Sequence, residues 1–157
     1  MDTDMKFTFM LKTTLPAIII SLVLIASSLN AEETPMDLSQ FQWKNRLLFL
    51  FAPNRSHSKF DVLQKSIATQ QAEVTDRDLV IFKILESGTS RLDTSYLDPQ
   101  VAQSLRDKFD VSPGRFAVIL VGKDGGTKLN RQEQTQLEDI FALIDAMPMR
   151  QKEMEKR

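Results

Sequence analysis

Two short stretches hold the residue types from which a binding or catalytic site could be assembled. Pro53-Asn54-Arg55-Ser56-His57-Ser58 contains the only histidine of the chain, beside an arginine, and Pro113-Gly114-Arg115 supplies a second arginine. Two arginines beside a helix N-terminus make an anion site, because free backbone amides and the helix dipole both favour negative charge. The candidate set is therefore Asn54, Arg55, Ser56, His57 and Arg115, with a small carboxylate, phosphate or other anion as ligand. The competing reading leaves the arginines solvated or paired with Asp61 and Asp110. His57 next to Ser56 or Ser58 suggests nucleophilic catalysis, but adjacent helical residues point apart and a triad needs serine and histidine within hydrogen-bond reach. His57 and Asp61, four apart, are expected to form a local helix-start pair instead. One histidine and no cysteine leave no expected metal set, and no cofactor motif is present.

Three further motifs read as structural. Gly122-Lys123-Asp124-Gly125-Gly126 lacks the full glycine–lysine–serine/threonine spacing of a phosphate loop and reads as a turn, with Lys123 and Lys128 on its solvent side. Asp76-Arg77-Asp78 just before a strand is expected to set a turn through side-chain hydrogen bonds. Asp145, Arg150 and Glu153 are expected to clamp the tail to the sheet, with Arg150 and Glu153 on one helical face.

These residues are positioned by alternating apolar runs and helical stripes. Leu47–Ala52 (LLFLFA), Leu79–Leu85 (LVIFKIL) and Phe116–Val121 read as buried strands. The last runs through the Asp-Gly-Gly turn into a fourth strand near Thr127–Leu129. Phe60, Leu63, Ile67 and Ala68 mark an amphipathic helix. Asp98-Pro99 starts another, with Val101, Ala102, Leu105 and Phe109 inward. Gln134–Met147 is a third, stopped by Pro148, and Ser87–Leu97 is a loop. The resulting order, β-α-β-α-β-β-α, predicts an α/β thioredoxin-like fold with a four-stranded mixed sheet and helices on both faces. In that fold the turn after the first strand faces the loop before the third, which would bring Arg55 and Arg115 together.

Residues 1–31 read as a signal peptide: Lys6 and Lys12 precede the apolar Leu15–Ala26, and cleavage is expected after Ala31. Asp2 and Asp4 are unusual in a basic leader, and Met5 offers another start. An uncleaved anchor helix is the alternative. The remainder divides into a polar lead-in (32–42), the domain (43–150) and a charged tail (151–157). It would be roughly 125 residues, one domain able to bury about two-thirds of its surface. A formal charge of −1 gives no basic surplus for nucleic acid. The absence of cysteine removes disulfides and thiol chemistry alike. The expected address is the periplasm, with release outside as the alternative and membrane contact only through the leader.

WKNRLLFLFAP (Trp43–Pro53), DRDLVIF (Asp76–Phe82), VILVGKDGGTKL (Val118–Leu129) and IDAMPMRQKEM (Ile144–Met154), taken in order, resemble one family. It is a domain of unknown function in exported bacterial proteins, shared with vertebrate extracellular proteins such as equarin and sushi-repeat-containing protein. The resemblance implies a thioredoxin-like fold and no particular activity. Working thioredoxins carry reactive cysteines where this chain has residues 53–58, so disulfide exchange is excluded. The reading that follows is a binding module for a small anion, a peptide or an envelope protein. The alternatives are a non-thiol oxidoreductase or peroxide-related enzyme, and a structural partner in an envelope assembly.

Overall fold

The computed structural model describes residues 36–156. Its centre is β1 (Arg46–Asn54), whose first seven residues are all buried. β1 runs parallel to β2 (Leu79–Ser87) from Arg46 opposite Leu79 to Asn54 opposite Ser87. On its other side it runs antiparallel to β5 (Ala117–Val121), with Leu47 opposite Val121. β6 (Thr127–Arg131) pairs antiparallel with β5, and the sheet order is β4-β3-β2-β1-β5-β6. A strand paired on both edges and covered on both faces must be apolar throughout, which is why the run has no alternation.

The side-chain period of two divides β1 between two cores. Leu48, Leu50 and Ala52 pack with Phe60, Leu63 and Ile67 of α1 (Ser58–Thr69). The same core takes Val74 of α2 (Gln71–Asp76) and Ile140 and Ile144 of α4 (Leu137–Asp145). Leu47, Phe49 and Phe51 face the opposite core, with Ala102 and Leu105 of α3 (Pro99–Lys108). Asp98 caps α3 by accepting the Gln100 N–H at 2.8 Å, and Pro99 fills the first helical position. Arg106 of α3 is buried against the strand ends, donating to the Ala52 carbonyl at 2.8 Å and the Ile84 carbonyl at 3.3 Å.

The expected strands, helices and layers are present, with three corrections. The sheet has six strands, not four. Within Ser87–Leu97, read as a loop, β3 (Arg91–Leu92) and β4 (Ser95–Tyr96) extend the sheet beyond β2. Two residues cannot display a period, so neither strand left a pattern to read. Finally, α4 ends before Pro148 as expected, but Pro148 does not leave a frayed charged tail behind it. It occupies the first turn of a new helix, α5 (Pro148–Glu155), so the structured domain runs past residue 150. The leader and its cleavage point lie outside the described residues. Among the described residues no helix is long and apolar enough to cross a membrane.

Candidate functional site

The turn after β1 is built by local hydrogen bonds. The Asn54 Oδ1 accepts the Ser56 N–H at 3.0 Å, and the Asn54 carbonyl accepts the His57 N–H at 3.3 Å. This asparagine turn aims Arg55 toward β2 and β3. There it lines a cavity of about 60 Å³ with Lys83 of β2 and Arg91 of β3. Phe60 and Gln64 of α1, Leu85 and Thr89 complete the lining, which includes no carboxylate. Lys83 and Arg91 are direct cross-strand neighbours. Like charges so placed repel one another, and a counter-charge relieves the repulsion.

Neighbouring acids are committed elsewhere. The Asp61 oxygens accept from Lys65 at 2.7 Å and Gln64 at 3.3 Å. Those two bonds hold its carboxyl below the usual range, with Arg55 adding a smaller pull. The Asp93 Oδ1 accepts the Ile81 N–H at 2.9 Å. Burial pushes the Lys83 amine below its ordinary pKa; Asp93 opposes this, while Arg55 and Arg91 add to it. Lys83 and Arg55 make no hydrogen bond or ion pair to any described residue, whereas Arg91 donates to the Thr94 carbonyl at 2.8 Å.

The remaining residues expected at this corner have other roles. Arg115 is exposed just before β5, across β1 from β2, and does not line the cavity. The His57 ring stacks on Phe116 at 5.4 Å between centroids, and its Nδ1 is buried without a partner. Only the His57 carbonyl engages Asp61, through the Asp61 N–H at 2.9 Å, so the expected side-chain pair does not form. Lys83 and Arg91 escaped the sequence reading. Lys83 had left one signal, as the single polar residue interrupting LVIFKIL.

At the opposite end of the strands, the motifs read separately join in one ionic network. Arg46 at the start of β1 donates to the Arg77 carbonyl at 2.9 Å and, through both Nη atoms, to Glu153 at 3.1 and 3.2 Å. Arg77 reaches Glu73 at 2.7 Å and Asp145 at 2.6 Å, with its guanidinium 4.3 Å above the Phe141 ring. Arg150 bonds Asp145 through Nε at 3.1 Å and pairs with Asp76. Lys123 reaches Asp78 and Glu153, each at 2.7 Å. Lys123 is therefore buried rather than on the solvent side of its turn. Its neighbours Asp124 and Gly125 do form that turn, with Gly125 at φ 82° and Asp124 accepting from Lys128 at 2.6 Å. The turn expected at Asp76-Arg77-Asp78 is present, with the Asp78 N–H donating to the Thr75 carbonyl at 3.0 Å, and the two acids also hold the distant cations Arg150 and Lys123. Each buried cation of the network has a carboxylate partner, so the network fastens α5 to the sheet, while the Arg46 and Arg77 Nε atoms are buried without a hydrogen-bond partner.

Acid should loosen this network. Burial pushes Asp145 and Glu153 upward, but Arg77 and Arg150 on the first, and Lys123 and Arg46 on the second, outweigh it and hold both below their ordinary values. A depressed folded pKa gives stability that is complete above the unfolded carboxyl range near about 4 and is lost as pH falls through the folded values. Urea unfolding from pH 7 to 3 should therefore stay level and then drop in the acid limb. An Asp145→Asn/Glu153→Gln variant should start lower and fall less steeply. Parallel acid limbs in the two proteins would count against this assignment.

Beside the network, Trp43 lies at the edge of a cleft of about 590 Å³ with Leu143, Met147, Pro148 and Met149. Trp43 holds φ at 64°, and its N–H donates to the Lys123 carbonyl at 2.6 Å. Among the described residues no group of three or more histidine, aspartate or glutamate side chains is arranged to hold a metal ion.

Residues 37–153 match the family described as Domain of unknown function (DUF4174). The chain belongs to this family. The chain is 25% identical over 133 residues to Coiled-coil domain-containing protein 80 of Danio rerio, covering 74% of this chain and 15% of that protein. It is 22% identical over 130 residues to Sushi repeat-containing protein SRPX2 of Xenopus laevis, covering 81% of this chain and 28% of that protein. The DUF4174 chain thus spans under a third of the length of either relative. Among solved structures, reduced 2-Cys peroxiredoxin of Plasmodium vivax superposes with a TM-score of 0.55 at 15% identity, over 76% of this chain and 85% of that one. Thioredoxin peroxidase I of Plasmodium yoelii gives 0.54 at 15% identity, over 73% and 79%. These likenesses establish a thioredoxin-like fold for the DUF4174 domain. The absence of cysteine separates it from any thiol mechanism.

Proposed function

We propose that this DUF4174 chain is a cysteine-free binding module, exported to the periplasm, that holds a small anion between Arg55, Lys83 and Arg91. The reading rests on one observation: three cations line a single small cavity that has no carboxylate in its lining. An anion placed there relieves the repulsion between Lys83 and Arg91 and receives charge-assisted hydrogen bonds. The cavity volume, about 60 Å³, limits the ligand's buried part to a few heavy atoms, as in a carboxylate or phosphate group. A peptide or envelope protein would engage the site through such a group.

The test is thermal unfolding of the full chain with inorganic phosphate, sulfate and small carboxylates. A ligand that binds only the folded state at 100 times its dissociation constant adds about 2.7 kcal/mol. For a domain of this size that raises Tm by several degrees. The rise should vanish in Arg55→Ala and Arg91→Ala and survive in Arg115→Ala. A rise of equal size in all four proteins, or none with any anion, would overturn the reading.

A further inference from the structure

The cavity contains a feature that anion binding alone does not use. Lys83 projects from the middle of an apolar strand, half-buried, with its Nζ making no hydrogen bond or ion pair to any described residue. The two cations beside it are arginines, which stay protonated under all physiological conditions. Three groups facing the amine govern its protonation. Arg55 from the turn after β1 and Arg91 from β3 disfavour the ammonium, and Asp93 from the β3–β4 turn favours it. Burial acts with the arginines, and the net direction is downward. A lysine desolvated beside other cations is the arrangement that turns an ammonium into a nucleophilic amine.

We propose that Lys83 condenses with the carbonyl of a small 2-oxo acid whose carboxylate is held by Arg55 and Arg91. This rests on the anion-binding reading above and names the ligand class for that site. The Nζ lone pair attacks the carbonyl carbon, forming a C–N bond as the C=O π electrons move to oxygen. Proton transfer from nitrogen to that oxygen gives a neutral carbinolamine. The hydroxyl then leaves with the remaining N–H proton as water, the nitrogen electron pair forming a C=N bond to Lys83. One water is released for each ligand bound, with no oxidant or reductant. The cavity of about 60 Å³ favours acids of two or three carbons over longer ones.

The experiment treats the full chain with glyoxylate or pyruvate in the presence of cyanoborohydride, which reduces an imine to a stable secondary amine. Peptide mapping then locates the adduct. A lowered pKa raises the neutral-amine fraction, so Lys83 should be labelled faster than exposed lysines such as Lys44 and Lys152. Excess sulfate should protect it. Arg91→Ala should slow labelling by glyoxylate much more than labelling by acetaldehyde, which has no carboxylate. Lys83→Arg, which keeps the charge, should lose the adduct. Labelling of Lys83 no faster than of Lys44, alongside a normal sulfate shift, would overturn the amine proposal and leave the anion site standing. Absence of both would overturn the two together.

Discussion

Arg150→Ala should lower the unfolding free energy by about 3–5 kcal/mol, the loss expected when one partner of a buried ion pair is removed and the others remain. Arg150 is 2% exposed and is the only buried residue of α5. Its removal deprives Asp145 and Asp76 of a cation and the Asp76 carbonyl of a donor at 2.8 Å. Since α5 presents no apolar stripe to the core, its remaining attachment is chiefly the bonds of Glu153 to Arg46 and Lys123. Urea unfolding at neutral pH measures the loss, and Lys156→Ala, an exposed change beyond the same helix, should stay within about 0.5 kcal/mol. Hydrogen exchange gives a second readout: the α5 amides should lose protection first, while those of β1 keep theirs. A loss below about 1 kcal/mol would mean that the network is worth no more than surface ion pairs.

Phe49→Ala should cost a similar amount, about 3–5 kcal/mol, by a different route. Phe49 is fully buried at the centre of β1. Its ring lies 4.6 Å from Phe82, 4.7 Å from Phe109 and 6.2 Å from Phe51. Truncation opens a cavity between the sheet and α3 that neighbours anchored on β1 and β2 cannot fill. Val62→Ala, on the exposed side of α1, is the control and should change little. Because domains of this kind are stable by only about 5–15 kcal/mol, Phe49→Ala approaches the unfolding threshold. Equal midpoints for the two variants would show that the cluster repacks, contrary to the expectation.

Long, strongly patterned elements were legible in the sequence because their burial is one-sided or complete. The runs at 47–52, 79–85 and 116–121 became β1, β2 and β5, and Asp98-Pro99 starts α3 as its residue types require. The two-residue strands β3 and β4 were not legible, and with them went Arg91, whose position depends on that pairing. Pro148 was ambiguous because proline ends one helix and begins the next with equal ease. Lys123 was misjudged because a lysine beside Asp-Gly ordinarily faces water. Here two carboxylates, from β2's approach and from α5, accept it in the interior. Its partners lie 45 and 30 residues away in sequence, a separation at which no local spacing rule operates. For the candidate site, Arg55 was recognised from its turn, whereas Arg115 was included on strand-end proximity alone and lies across β1 from the cavity.

The position of Trp43 also decides what light can report about this protein. It is the only tryptophan, and it is 63% exposed. Its indole is already largely hydrated in the native state, so melting of either core should move its emission very little. Circular dichroism or a phenylalanine-sensitive signal must follow global unfolding. Conversely, the same indole borders the cleft with Met147 and Met149 and is tied through its backbone to Lys123. Anything that settles in that cleft changes its colour and brightness against a nearly silent background.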